Sequence, residues 1–138
     1  MASFVMDCSI TMAWCFSDEA TSATDHLLAR MVNERAVVPY IWLLEVTNVL
    51  VHAEQRGRIS INESKKFIAI LEELEIEIDQ ALPARIFHEI PALARASRIT
   101  TYDAAYLELA LTRQLPLATL DQPLRKVAKK LGVQLLGI

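Results

Sequence analysis

The sequence predicts an α/β fold, a three-layer α/β/α sandwich around a mostly parallel sheet of about five short strands. Short apolar runs alternate with longer helical patterns, and this alternation requires crossover connections between parallel strands. The 138 residues contain 53% apolar side chains and no Pro-, Gly- or Ser-rich linker. We therefore expect a single domain that spans residues 1–138.

In the first half of the chain, two apolar runs are followed by helical patterns. Pro39 stops the second run, and Gly57 is placed to end the long helix that follows. The predicted elements, in order, are a strand at Phe4–Met6, a helical turn at Ile10–Phe16, a helix from Ser17 or Asp18 to Asn33, a strand at Val37–Val38 and a helix at Tyr40–Arg56.

The second half repeats this alternation. Ser60 and Glu63 form a capping box, which starts a helix with Phe67, Leu71 and Leu74 on one stripe. Pro91 is expected to kink or split the helical region in which it lies. The remaining predicted elements are a strand at Ile76–Ile78, helical structure at Pro83–Ala96, a helix capped by Asp103 and ending at Gln114, a strand at Leu117–Thr119, a helix capped by Asp121 and ending near Leu131, and a strand at Val133–Leu136.

Composition excludes several classes of protein. The net charge of −3 is too small to argue for or against a nucleic-acid partner. With three glycines, the chain has no glycine-rich phosphate loop. Cys8 and Cys15 form neither a zinc template nor a disulfide framework, and their apolar surroundings favour buried free thiols. The longest uncharged stretches are about ten residues, against about 20 for a membrane helix, so we expect a cytoplasmic protein without membrane contact.

Four acids stand apart from all other side-chain charges. An unpaired carboxylate in apolar surroundings is costly, so isolation of this kind indicates a specific role. The four are Asp7 within residues 1–17, Glu45 within 36–53, Asp103 within 99–107 and Asp121 within 114–124.

Glu45 is the most informative of the four. Its helical neighbours three and four residues away are Ile41, Trp42, Asn48 and Val49, so its side chain is expected to point inward. A buried salt bridge to a distant arginine would explain this position, and so would a functional site.

The three aspartates each precede a predicted helix, where Asp is a favoured N-cap. However, Asp7 and Asp121 also follow predicted strands, and the carboxyl ends of parallel strands share the edge where ligands bind. Capping and ligand binding are compatible. If the four acids converge, a hard divalent cation, Mg²⁺ or Mn²⁺, would relieve their mutual repulsion. His26, His52 and His88 are scattered and do not add to such a site.

The segments that carry these acids resemble the PIN-domain ribonucleases, and most closely the VapC-type toxins of toxin–antitoxin pairs. The resemblance spans essentially the whole chain. It is carried by Val5–Ser9 around Asp7, by Glu45 with Asn48, by Thr101–Leu107 around Asp103, and by Ala118–Asp121.

The resemblance implies a PIN-like fold and a metal-dependent endoribonuclease. Its four acids correspond to Asp7, Glu45, Asp103 and Asp121, which would hold Mg²⁺ or Mn²⁺ for hydrolysis of RNA into products with a 5′-phosphate and a 3′-hydroxyl. Ser9, Thr119 and Asn48 would orient the acids or a bound water. The family also implies a cognate antitoxin and a homodimer formed through helices near the one that starts at Ser60.

Basic residues flank two of the acids and are candidate contacts for RNA phosphates. Arg95 and Arg98 precede Asp103, and a cluster follows Asp121. A solvated helix face explains this cluster equally well. The cluster consists of Arg125, Lys126, Lys129 and Lys130.

Two other functions stay open at this level. The chain could be a non-catalytic PIN-like module that acts by binding a partner protein, or a DNA-directed nuclease of related fold. Trp14, Trp42 and Tyr106 could stack on bases, although core packing is the more common role of such residues.

Overall fold

The computed structural model describes residues 1–138 and confirms the predicted α/β/α architecture. Five strands, all parallel, form one sheet in the order β3-β2-β1-β4-β5. The strands are β1 (Ala2–Met6), β2 (Arg35–Pro39), β3 (Ile76–Asp79), β4 (Leu117–Ala118) and β5 (Leu135–Leu136).

Seven α-helices and one π-helical segment connect and cover the strands. The α-helices are α1 (Cys8–Cys15), α2 (Ser22–Arg30), α3 (Ile41–Gln55), α4 (Ile61–Glu73), α5 (Ile90–Ser97), α6 (Thr101–Arg113) and α7 (Gln122–Lys130).

The core lies around the two central strands. Phe4, Val5 and Met6 on β1 and Val37 and Val38 on β2 have no exposed surface. Consecutive residues on a strand point to opposite faces, so helices must cover both faces of the sheet here. This explains why the sequence shows continuous apolar runs rather than alternating ones.

The chain reverses its direction of winding between β1 and β4. The strands β2 and β3 extend the sheet on one side of β1, and β4 and β5 extend it on the other. At such a switch point the connections after two neighbouring strands diverge and leave a crevice at their carboxyl ends. Asp7 follows β1 at this point, and Thr119 follows β4.

Two predicted boundaries were wrong. Helix α2 starts at Ser22 rather than after Ser17 or Asp18, because the hydroxyl of Thr21 accepts the backbone N–H of Thr24 at 3.1 Å and completes a capping box. The last strand contains only Leu135 and Leu136 of the predicted four residues. Both errors concern exposed chain next to turns, where the apolar pattern is weakest.

The prediction that Pro91 splits its helix is confirmed. A π-helical turn covers Arg85–Glu89 and α5 begins at Ile90. Proline lacks an N–H, and its ring would clash with the carbonyl of Phe87 in a regular helix. The wider turn removes this clash, and the Ile90 N–H donates to the carbonyl of Arg85, five residues back.

Cys8 and Cys15 are free thiols, each partly buried. None of the helices combines the length and the apolar character that a transmembrane segment requires.

Candidate active site

Asp7 lies where β1 passes into α1, and it is 7% exposed. As predicted, it caps the helix: its Oδ1 accepts the backbone N–H groups of Ser9 at 3.0 Å and Ile10 at 3.4 Å, together with the Ser9 hydroxyl. Its Oδ2 accepts the hydroxyl of Thr119 from the neighbouring strand β4. Both carboxylate oxygens of Asp7 therefore accept hydrogen bonds from the protein, and these bonds fix the carboxylate at the crevice.

The turn after β4 is tied to the turn after β1. The Thr119 hydroxyl, which donates to Asp7, also accepts the Asp121 N–H at 3.0 Å. The Ser9 hydroxyl accepts the Leu120 N–H at 2.9 Å. Ser9 and Thr119 thus both contact the Asp7 carboxylate and join the turn that carries Asp121 to it.

Asp121 begins α7 as predicted. Its Oδ2 accepts the Leu124 N–H at 2.9 Å, which leaves Oδ1 without a backbone donor. One carboxylate oxygen caps the helix and the other is available to a ligand, so capping does not exclude a role in the site.

Asp103 is not the N-cap of α6, contrary to the prediction. Thr100 caps this helix by accepting the Asp103 N–H at 3.1 Å, and Asp103 lies in the first turn. The capping explanation for Asp103 is therefore removed. Burial raises the pKa of Asp103, and the negative charge of Asp121 raises it further.

Glu45 is half-buried on α3, and its Oε1 accepts the hydroxyl of Tyr106 from α6. Burial raises the pKa of Glu45, and the charges of Asp103 and Asp7 raise it further. Burial followed by the charges of Glu45 and Asp7 also raises the pKa of the Cys8 thiol to about 12. Glu45 is therefore close enough to Asp7 and Asp103 for their charges to act on its carboxyl group.

No arginine or lysine neutralises any of the four acids. The ion pairs of the protein all involve other carboxylates, so the salt-bridge explanation for Glu45 does not hold. The paired acids are Asp18, Glu19, Glu34, Glu75, Glu77, Asp79 and Glu108.

The donor set of this edge fits a hard cation. It consists of carboxylate oxygens without imidazole. Burial raises the pKa of Asp7, and burial together with like charge raises the pKa of Glu45 and of Asp103, where a bound cation would lower all three. With the side chains as they stand, however, no three acids lie close enough together to hold one ion between them. A cation would have to be bound by two acids at a time, or a side chain would have to rotate to bring a third acid to it.

The other predicted site residues lie further out. Asn48 is exposed one turn after Glu45 and lines a shallow polar pocket with His52 and Arg56. Arg95 and Arg98 are exposed on and after α5.

The basic cluster on α7 divides into two kinds of residue. Lys126 and Lys129 are exposed. Arg125 donates from Nη1 to the carbonyls of Thr119 at 2.7 Å and Leu136 at 2.8 Å, and so fastens the end of β4 to β5. The lysines are therefore freer to contact a phosphate than Arg125 is.

The aromatic side chains serve the core. Trp14 donates to the Thr24 carbonyl and Trp42 donates to the Thr11 hydroxyl, both at 2.9 Å. Tyr106 is 1% exposed, which excludes base stacking. Sequence reasoning missed its bond to Glu45, although the signal was present: Tyr106 follows Asp103 by three residues, on the same face of α6.

Asp103→Asn is expected to raise the stability of the fold at neutral pH. Because the folded state raises the pKa of Asp103, it favours the neutral form, and the charged form costs stability at every pH well above that pKa. Below about pH 4, the ordinary range of an aspartate, the group is neutral in both states and the cost disappears.

The variant should therefore melt at a higher temperature than the wild type at pH 7, and the difference should shrink as the pH falls to 4. Thermal melts monitored by circular dichroism across this range measure it. Glu72→Gln on exposed α4 is the control and should show no such difference. A variant less stable than the wild type at pH 7 would contradict the assignment of Asp103 to an uncompensated acidic cluster.

One known protein family matches most of the chain. The PIN domain family model matches residues 4–130. A search of curated protein sequences finds no match.

Several solved structures share the fold. PAE2754 from Pyrobaculum aerophilum aligns with a TM-score of 0.70 at 20% identity over 97% of this chain and 89% of that one. VapBC2 from Rickettsia felis, bound to a DNA fragment from its promoter, gives 0.68 at 12% identity over 96% of both chains. A toxin–antitoxin complex from Klebsiella pneumoniae gives 0.58 at 18% identity over 86% and 87%. The family match covers nearly the whole sheet and all four isolated acids, and the chain therefore belongs to the PIN domain family.

Proposed function

We propose that the chain is a metal-dependent endoribonuclease and the toxin of a toxin–antitoxin pair. The observation that carries the proposal is a set of four carboxylates, Asp7, Glu45, Asp103 and Asp121, at one sheet edge with no cationic partner among them. PIN domains are generally nucleases. Carboxylates that have no cationic partner of their own are available to bind divalent cations.

After rotation of a side chain brings them together, Asp7, Asp103 and Asp121 would hold Mg²⁺ or Mn²⁺, and Glu45 would bind directly or through water. When bound, such an ion lowers the pKa of a water and offsets negative charge that develops on the phosphate. The remaining work falls to the protein. Ser9 and Thr119 hold the Asp7 carboxylate in one orientation through three hydrogen bonds, so that its direction does not depend on the ligand.

The charge around the site supports a nucleic-acid strand as substrate, and the proposal takes this strand to be RNA. The acids repel a polyanion, so flanking cations must attract it. Lys126 and Lys129 line a shallow groove with Gln122, immediately after Asp121. Binding through these lysines would weaken as salt increases, because each phosphate contact releases counterions.

The test is cleavage of an end-labelled RNA pool by the purified protein. We expect fragments with a 5′-phosphate and a 3′-hydroxyl in the presence of Mg²⁺ or Mn²⁺, and none after chelation. Asp103→Asn is the control for contamination: it is expected to be more stable than the wild type at neutral pH and to lose cleavage. Equal cleavage by both proteins would contradict the proposal.

The same assay separates the other two functions. Cleavage of single-stranded DNA but not RNA would favour a DNA-directed nuclease. A protein that binds Mn²⁺ and a partner but cuts neither nucleic acid would favour the binding module.

Two structural neighbours support an antitoxin partner, since one is VapBC2 and the other is described as a toxin–antitoxin complex. Co-expression with the adjacent reading frame, followed by purification of the pair, tests this directly.

We also propose a homodimer. Ile61 and Ile70 are more than half exposed on α4, whereas Phe67 and Leu71 on the same helix belong to the core, and light scattering of the purified chain measures the association.

A further inference from the structure

We infer that Tyr106 is a positioning residue that holds Glu45 for a divalent cation; this rests on the proposed function. Tyr106 and Asp103 lie three residues apart on one face of α6. One turn of this helix therefore presents both an acid of the site and the donor that fixes another acid on α3.

Glu45 needs such a donor. It is half-buried, has no cationic partner, and faces the like charges of Asp103 and Asp7. A free glutamate in this position would rotate about its side-chain bonds toward solvent, away from the other acids. The Tyr106 hydroxyl donates to Oε1 and opposes this rotation. A hydrogen bond to a charged group is stronger than one between neutral groups, so it favours the rotamer that makes it.

The hydrogen bond occupies one of the two carboxylate oxygens of Glu45 and leaves the other available to a ligand. Oε1 is occupied by the phenol, while Oε2 has no hydrogen-bond donor from the protein. The phenol keeps its proton, since burial and the adjacent carboxylate raise the pKa of Tyr106. Tyr106 is 1% exposed and cannot itself reach a ligand in solvent. Its role is therefore to orient Glu45, in the same way that Thr119 orients Asp7.

Tyr106→Phe removes the hydroxyl and keeps the ring. The wild type should melt at a higher temperature as Mn²⁺ is added, because a cation that binds only the folded state stabilises it. Loss of an orienting partner typically lowers metal affinity 10–100-fold, so the variant should need roughly tenfold more Mn²⁺ for the same rise. The Mn²⁺ concentration for half-maximal RNA cleavage should move by a similar factor.

Two controls isolate the effect. Tyr102→Phe removes a hydroxyl from an exposed position on the same helix and should leave the Mn²⁺ response unchanged. In a Glu45→Gln background, Tyr106→Phe should have little further effect on the Mn²⁺ response, since the two residues act as a unit. Glu45→Gln alone should weaken that response at least as much as Tyr106→Phe, and this arm stands even where the phenylalanine variant folds poorly.

The possible results distinguish the inference about Tyr106 from the proposed nuclease activity. If Tyr106→Phe changes the melting temperature without Mn²⁺ but not the Mn²⁺ concentration required, Tyr106 is only a structural residue and the inference is wrong. A wild type that does not respond to Mn²⁺ overturns it too. If the Mn²⁺ response shifts as expected but the wild type does not cleave RNA, the positioning role stands and the proposed nuclease activity fails.

Discussion

Asp7→Asn is expected to reduce RNA cleavage by more than about 100-fold while the protein stays folded. Changing a residue that merely orients a metal ligand typically costs 10–100-fold in affinity or activity, and removing the charge of a ligand itself should cost more. Asp7 is the acid most firmly fixed by the structure, with donors from Ser9, Ile10 and Thr119 around it. A neighbouring side chain therefore cannot take the place of the Asp7 carboxylate.

The fold should tolerate this change for reasons that the structure supplies. Asparagine keeps Oδ1, which accepts the Ser9 and Ile10 N–H groups, so α1 stays capped. Its amide can donate to the Thr119 hydroxyl, which has a second lone pair to accept. Burial raises the pKa of Asp7, so a neutral side chain is favoured there at pH 7.

Initial rates with labelled RNA and melts of the same preparations measure the two effects. Asp18→Asn is the matched control, because Asp18 is exposed and pairs with Arg58 instead of joining the site. It should cleave at the wild-type rate. An Asp7→Asn protein that is folded and still active would show that the acidic edge is not the site of hydrolysis.

The sequence was sufficient to identify the sheet edge but not its internal arrangement. Asp7 and Asp121 follow strands, and parallel strands bring such residues together whatever the details of packing. Ser9 and Thr119 were implied by the family resemblance and not by spacing. Asp103 was misassigned as a cap because Thr100 and Asp103 are both favoured N-caps, and only the backbone shows that Thr100 accepts the N–H.

The separation of an acid from other charges along the sequence did not predict how deeply its side chain is buried. Asp79 follows a run of acids and Glu108 lies in a mixed helix, so neither stood out, yet both are less than 10% exposed. What separates them from Glu45 is their counter-ions, Arg85 and Arg113. Arginine partners come from distant parts of the chain, and their identity depends on three-dimensional packing that no local pattern encodes.

These counter-ions lead to the largest expected effect on stability. Arg85→Ala should lower the free energy of unfolding by about 3–5 kcal/mol, since it leaves a buried charge without its partner. Arg85 binds Glu108 through two hydrogen bonds, at 2.9 and 2.6 Å, and Asp79 through a third at 3.1 Å. Asp79 keeps Arg113, but Glu108 retains only the hydroxyl of Thr112 at 3.2 Å.

The position of this network explains why the loss should be global. It joins the end of the edge strand β3 and helix α6 to the π-helical turn that Pro91 imposes, and α6 carries both Asp103 and Tyr106. Urea unfolding measures the change, with Arg35→Ala as control, because the Arg35–Glu75 pair is exposed and should contribute less than about 1 kcal/mol. Equal losses for the two variants would mean that Glu108 finds water or another donor when Arg85 is removed. A much larger loss for Arg85→Ala would instead show that this ion network supports the helix that carries Asp103 and Tyr106.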